Sequence, residues 1–276
     1  MTRFSWIRTL CIAMLTMFLV PQSIDAAKKE PVTEKIVFIP HDNRPISSKQ
    51  TADVVQRVGY DVITPPRELL GNREDWGHPD ALWTWLDENL AQPGVKAAVI
   101  SSDAMIYGSL VGSRKHSFTR DQVLARAARF DALQRSHTKT PLYVFGSIMR
   151  TPRSGEASGH EEPEYYRRYG ADIFRYTVLR DKEEVEGLSR RERKEYDFLG
   201  RLIPKEALAD WMGRREKNYA VNEYLIDLLR KHGTFRYLTL GRDDNAPFSQ
   251  THLESRHLTE EGADLGKTRF QTMAGI

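Results

Sequence analysis

Aspartate and arginine residues recur directly after several apolar segments of this sequence. They fall in four stretches, at residues 40–45, 101–114, 148–152 and 241–247. Each stretch supplies an arginine and three supply an aspartate, which gives Asp42, Asp103, Asp243 and Asp244 against Arg44, Arg114, Arg150 and Arg242. A site built for a divalent metal concentrates carboxylates, and arginine would compete with the cation. The equal numbers of negative and positive side chains therefore predict chemistry on a polar substrate, without a metal.

Asp243 and Asp244 are adjacent, which suits acid and base catalysis. Two neighbouring carboxylates cannot both ionise freely, and the one with the raised pKa can serve as an acid. Glycoside hydrolysis uses two carboxyl groups in this way. We predict that both are catalytic. The alternative is that one caps its loop while the other faces the pocket.

Polar and aromatic side chains near these stretches could contact a substrate. Tyr107 and Asn245 could hydrogen-bond to hydroxyl groups, and Trp76 could either stack on a sugar face or plug a hydrophobic gap. Asn218 and Asn222 stand four residues apart, so one helix face would carry both, either toward the site or toward solvent. The predicted substrate-binding set comprises these five residues together with Asp42, Arg44, Asp103, Arg114, Arg150 and Arg242.

Motifs for nucleotides, metals and serine nucleophiles are missing from the sequence. His41, His116, His252 and His257 show no spacing typical of metal ligands. There is no glycine loop for phosphates and no Gly-x-Ser-x-Gly elbow, which argues against ATP use and against an ordinary esterase. We therefore predict no cofactor.

The elements that must position these residues alternate between strand and helix. Strands are predicted at 35–39, 61–64, 96–101, 142–146, 235–240 and 269–273, and helices at 48–58, 79–90, 119–135 and 217–231. This alternation is typical of parallel βα units, in a doubly wound sheet or a partial barrel, with ligands bound at the carboxyl ends of the strands. Residues 153–216 lack a strand and predict a helical insertion between the fourth and fifth strands. Its basic run at 190–194 has acidic neighbours and is interpreted as a solvated helix face.

The first 26 residues have the features of a secretory signal. Arg3 and Arg8 precede an apolar run from Leu10 to Val20, which is too short to cross a bilayer. Cleavage would remove the only cysteine, Cys11, and lower the formal charge from +3 to +2. We expect an exported protein without a stable membrane anchor and without nucleic acid as a partner. The sequence does not predict an oligomeric state.

Residues 27–276 are expected to form one α/β domain. The last predicted strand is followed by Gly275 and Ile276 alone. A parallel strand is normally covered by a helix on each face, so the domain is expected to be incomplete at this end.

Several motifs resemble those of a bacterial domain-of-unknown-function family, number four-one-two-seven. They lie at 40–45, 102–114, 148–150, 214–222 and 241–247, and so cover nearly all of the chain after residue 26. Members of that family are usually much longer, and a further acidic motif follows a strand like the one at 269–276. The chain departs from the family pattern at His41 and Asn43, where members commonly carry Leu and Asp. The resemblance implies no particular reaction.

The leading functional hypothesis is a glycan-active hydrolase. Asp243 and Asp244 would be the acid and base, Asp42 and Asp103 would bind substrate hydroxyls, and the arginines would orient these groups. One alternative is a metal-assisted hydrolase of phosphate or amide bonds that uses the same aspartates as ligands. The other is an envelope protein that binds a sugar without turnover.

Overall fold

The computed structural model describes residues 34–154 and 161–274, in which six strands form one parallel sheet. The strands are β1 (Lys35–Ile39), β2 (Asp61–Ile63), β3 (Val95–Ser101), β4 (Leu142–Ile148), β5 (Tyr237–Arg242) and β6 (Phe270–Ala274). Their order is β2-β1-β3-β4-β5-β6, and every pairing is parallel. The predicted α/β class is confirmed. Of the two architectures considered, the described strands form an open sheet with β2 and β6 at its edges.

Nine α-helices surround the sheet in the described part of the chain. They are α1 (Lys49–Arg57), α2 (Pro79–Leu90), α3 (Ser102–Tyr107), α4 (Leu110–Lys115), α5 (Arg120–Ser136), α6 (Tyr166–Glu186), α7 (Arg190–Leu202), α8 (Lys205–His232) and α9 (Gln250–Glu261). Short 3₁₀ turns lie at Arg67–Leu69 and Ala263–Leu265. Two of the predicted helix starts match residues with a physical reason to begin a helix, whereas the helix predicted from residue 217 begins at Lys205. Pro79 is the first residue of α2, and Thr119 forms a capping box with Gln122 before α5.

One face of the sheet carries the main core. Alternate strand residues such as Val37, Ile39 and Ile100 are fully buried beneath α2, α5, α8 and α9. Burial on this face therefore explains the alternate apolar residues of the strands.

The opposite face is covered mainly by α1. Phe38 and Val62 pack on Ala52 of this helix, whereas Val99 and Phe145 are only partly buried. Because one short helix cannot cover four strands, an open groove remains beside it, and this groove reaches the carboxyl end of the sheet.

The helical insertion between β4 and β5 is confirmed. Helices α6 and α7 form a small second core with the start of α8, in which Tyr166 and Trp211 are fully buried. The predicted boundary at residue 216 falls inside α8, because this helix of 28 residues leaves the insertion and continues along the sheet. The basic run at 190–194 lies on α7 with its arginine side chains exposed.

The predicted signal segment, residues 1–26 with Cys11, lies outside the described residues. No helix within 34–154 and 161–274 combines the length and apolar character needed to cross a membrane.

Candidate functional site

The groove on the open face runs over the sheet to the carboxyl ends of its strands. It has a volume of about 580 Å³. Its apolar lining comes from Phe38, Ile46, Val99, Leu110, Phe145 and Met273, and its polar lining includes His41, Arg44, Ser47, Thr51, Thr239 and Asp243. The strand order reverses between β1 and β3, and ligands of open α/β sheets bind outside the strand ends at such a point. The groove is therefore the candidate site.

His41 and Asp103 form a pair at the bottom of this site. Nδ1 of His41 lies 3.1 Å from Oδ2 of Asp103, and both residues are buried. Oδ1 of Asp103 accepts a hydrogen bond of 2.9 Å from the hydroxyl of Ser147. The imidazole ring also stands edge-on to Phe145, with 4.7 Å between the ring centroids. The pair is thus fixed by groups from three neighbouring strand ends.

Nδ1 of His41 has two polar neighbours. The hydroxyl of Ser101, 2.9 Å away, can accept a hydrogen from Nδ1 or donate one to it, whereas Oδ2 of Asp103 at 3.1 Å is a charged neighbour outside hydrogen-bond geometry. The negative charge of Asp103 favours the tautomer with its hydrogen on Nδ1, in which Nε2 is the acceptor nitrogen. Because His41 lines the groove, Nε2 in this tautomer can take a proton from a molecule bound there.

Asp42 and Arg44 follow His41 and form a second ion pair. Asp42 is fully buried and accepts from the backbone and Nε of Arg44, with a third contact of 2.7 Å to Nη2. The hydrogen bond from this guanidinium to Asp42 raises the pKa of Arg44, so Arg44 stays charged where it lines the groove. Asp42 thus orients Arg44 and does not itself line the groove.

Three arginines from separate segments of the chain meet on one carboxylate beside the groove. The carboxylate of Glu161 lies 2.8 Å from Nε of Arg73, 2.9 Å from Nη1 of Arg114 and 3.0 Å from Nη2 of Arg150. We call these four residues the arginine node. Arg150 also donates to Glu162, a buried residue whose pKa is raised by burial. Burial and the nearby charge of Arg150 lower the pKa of Arg114.

Asp243 and Asp244 have different surroundings. Asp243 is 44% exposed, lines the groove and lies 3.5 Å from Nη2 of Arg114. Asp244 is buried, and its Oδ1 accepts from the backbone of Ala246 at 2.8 Å, which closes a turn in its own loop. Asp243 is therefore placed to meet a ligand, whereas Asp244 shapes the loop, as in the alternative weighed for this pair.

Three of the predicted substrate-binding residues lie away from the groove. Arg242 lines a separate depression of about 330 Å³ beside α9, together with His252 and Arg256. Trp76 is half-exposed in a small recess near α4 and stands edge-on to Phe118. Asn245 is exposed at the tip of the loop after β5.

The two asparagines of α8 connect this helix to α4 and to β4. Asn218 donates to the backbone of Ser113 at 2.7 Å and its Oδ1 lies 2.9 Å from Nε2 of His116. Asn222 donates to the carbonyl of Ser147 at 3.2 Å. Both are buried, so the predicted alignment on one helix face is present and points inward, to α4 and to the end of β4.

Tyr107 and His116 belong to the same buried support. Their rings stack with 4.9 Å between centroids. Burial raises the pKa of Tyr107 well above its ordinary value, with Asp103 adding to the effect, and burial lowers the pKa of His116 to about 4. Tyr107 is thus a protonated phenol and His116 a neutral imidazole near pH 7, behind the groove.

Sequence reasoning assigned no role to three residues that the structure places at the site. His41 was considered only as a metal ligand, although it lies in the same segment after β1 as Asp42. Glu161 and Arg73 lie outside the four stretches, and no sequence pattern connects them to the site. Among the described residues, no group of three or more His, Cys, Asp and Glu side chains is arranged to hold a metal ion.

Comparisons with known proteins give a family and no activity. No curated protein matches the chain. A solved structure from a study of carboxylesterases of the ammonia-oxidizing thaumarchaeon Nitrososphaera gargenis is similar at 12% identity, with a TM-score of 0.36, over 88% of this chain and 82% of that one. The model of the family described as "Protein of unknown function (DUF4127)" matches residues 36–276. The chain therefore belongs to the DUF4127 family.

Proposed function

We propose that this protein is a glycan-active hydrolase in which His41, oriented by Asp103, activates water in the groove. The observation that carries the proposal is the contact of 3.1 Å between Nδ1 of His41 and buried Asp103, with the imidazole lining a groove shared with Asp243. A carboxylate behind an imidazole fixes its tautomer and stabilises the imidazolium that forms when Nε2 accepts a proton. In this scheme water bonds to the anomeric carbon while Nε2 of His41 takes its proton. The glycosidic C–O bond breaks, and the departing oxygen takes up a proton from solvent.

The lining of the groove supports a sugar as the substrate. Sugar rings combine an apolar face with a rim of hydroxyl groups. Phe38 and Phe145, stacked with 6.4 Å between centroids, supply an aromatic floor, while Arg44 and Asp243 supply charged hydrogen-bonding groups. Asp243, beside Arg114, is also suited to stabilise positive charge that develops on a sugar ring during hydrolysis.

The proposal is tested with a screen of cell-wall and plant glycans in which released products are measured. We expect His41→Gln and Asp103→Asn to lower kcat by about a hundredfold or more, the usual effect of losing a general base. His257→Gln is the matched control, because His257 contacts Glu184 away from the groove. Melting temperatures of the variants show whether a loss of activity reflects unfolding.

The outcomes distinguish the alternatives. Activity that disappears with a chelator and returns with a divalent ion would favour the metal-assisted hydrolase. Specific binding of a glycan without product under any condition would favour the non-catalytic sugar-binding protein. Full activity in both His41→Gln and Asp103→Asn would exclude the proposed base.

Export is a second part of the proposal and rests on the sequence of residues 1–26. Ser23 to Ala26 offers a small-residue cleavage site after the apolar run. N-terminal sequencing of the protein recovered from its native host tests it, and we expect the mature chain to begin at Ala27. A chain that retains Met1 in the cytoplasm would contradict export.

A further inference from the structure

The arginine node gathers three guanidinium groups on one carboxylate. Arg150 already has a partner in Glu162, with 2.9 Å between Nε and Oε1. The side chain of Arg73 is 60% exposed, and an exposed ion pair contributes little to stability. Both nevertheless converge on the carboxylate of Glu161, which is itself largely buried.

The geometry of the node is that of a carboxylate receptor. Guanidinium groups recognise carboxylates at short range, and three guanidinium nitrogens lie 2.8 to 3.0 Å from the two oxygens of Glu161, of which Nη1 of Arg114 donates a hydrogen bond. Without Glu161, Arg73 would lose its ion-pair partner, and Arg114 would keep only the contact of 3.5 Å to half-exposed Asp243. The three guanidinium groups therefore need one negative charge at the position of the Glu161 carboxylate.

The node is continuous with the groove. Arg114 contacts Asp243, which lines the groove, and Arg44 of the groove lies within the electrostatic influence of both Glu161 and Asp243. A substrate that lies in the groove can thus present an acidic substituent to the node while its reacting bond faces His41.

We infer that the arginine node is a subsite for a carboxylate of the substrate, and that Glu161 occupies this subsite until the substrate carboxylate replaces it. The inference rests on the proposed function and specifies it, because it assigns acidic glycans, those with uronic-acid units, as the substrate class. Glu161 then competes with the substrate carboxylate for the node. The apparent affinity for the substrate is its intrinsic affinity multiplied by the fraction of molecules in which Glu161 has left the node.

Calorimetric binding of trigalacturonic acid and of its uncharged methyl ester tests this inference. For Arg73→Gln, we expect the affinity for the acid to fall about tenfold, the loss of one charged contact, with the affinity for the ester unchanged. For Glu161→Gln, we expect tighter binding of the acid only. Arg67→Gln is the matched control, since Arg67 is an exposed arginine of the same loop outside the node.

The inference fails if the acid and the ester bind equally, if Arg73→Gln has no effect, or if neither ligand binds. Should Glu161→Gln unfold, Arg73→Gln still decides, because Arg73 is exposed. Hydrolysis of neutral glycans alone would overturn the inference and leave the proposed function standing. Binding of the acid that depends on Arg73, without turnover of any glycan, would support the subsite and reject the hydrolase.

Discussion

Arginine side chains of this protein differ in how deeply they are buried, and burial decides how much each contributes to stability. Five arginines near the site are ion-paired, namely Arg44, Arg73, Arg114, Arg150 and Arg215. The side chain of Arg73 is 60% exposed, whereas that of Arg215 is fully buried. A buried guanidinium that loses its anion retains the full cost of desolvation, whereas an exposed one is solvated by water. The effect of a substitution should therefore follow exposure more than the number of contacts.

Arg215 provides the sharpest case for stability. It makes a bidentate pair with Glu254 at 2.7 and 2.8 Å and donates to the carbonyls of Met149 and Arg150, which fixes the loop after β4. We expect Arg215→Met to lower the free energy of unfolding by about 3–5 kcal/mol, because Glu254 is left buried and unpaired. Urea denaturation measures this change.

Arg175 is the matched control for Arg215. It makes the same bidentate geometry with Glu195, at 2.7 and 2.8 Å, on side chains that are 42% and 37% exposed. Arg175→Met should cost less than about 1 kcal/mol. Equal losses in the two variants would show that burial does not decide the contribution of these pairs.

His116 makes stability depend on pH. Its pKa is lowered from 6.5 to about 4 by burial, so the unfolded chain takes up a proton first as the pH falls. Stability from the neutral imidazole is present above pH 6.5 and is lost between pH 6.5 and 4, by about 3 kcal/mol in total. Urea unfolding across pH 4–7 should show that the advantage of the parent over His116→Gln shrinks by this amount. A difference between the two that is constant with pH would contradict the assignment.

At the scale of helices, strands and loops, close backbone contacts position the loops that follow the strands. Gly71, Gly77 and Gly108 meet where the loop after β2 passes the turn that ends α3, and Gly71 donates to the carbonyl of Gly108 at 3.2 Å. The carbonyl of Gly71 in turn accepts from Asn43 at 2.9 Å, in the segment that carries His41. This glycine junction therefore connects three loops around the site.

Substitution of Gly77 should disrupt this junction. A Cβ atom there would lie 2.5 Å from the carbonyl oxygen of Gly108 and 2.6 Å from the nitrogen of Gly71, both of them backbone atoms that cannot rotate away. We expect Gly77→Ala to cost at least about 2 kcal/mol in urea unfolding. Gly213, inside α8 with open space around it, is the control, and Gly213→Ala should stabilise by about 0.5–1 kcal/mol. Destabilisation by Gly213→Ala or tolerance of Gly77→Ala would contradict this explanation.

At the scale of the whole molecule, the strands and the helical insertion could be predicted from the sequence because their signals are local. The strand predicted at 142–146 differs from β4 by two residues at one end, where Ser147 and Ile148 continue the strand. The site was harder to predict, since the direction of a side chain depends on distant packing. Asp243 and Asp244 are equivalent as letters, yet only the fold turns one toward the groove and the other into its loop.

The uneven cover of the sheet leads to the last prediction. Since α1 is the main helix on the face that carries the groove, a large side chain on α1 should fill the groove without disturbing the main core on the other face. Thr51 is exposed and lines the groove, so Thr51→Trp should weaken binding of the glycan substrate at least about tenfold, or about 1.4 kcal/mol. Gln56→Trp places the same indole elsewhere on α1 and should leave binding unchanged. Both variants should melt close to the parent, because neither position is buried. Equal binding by Thr51→Trp and the parent would move the active site away from this groove.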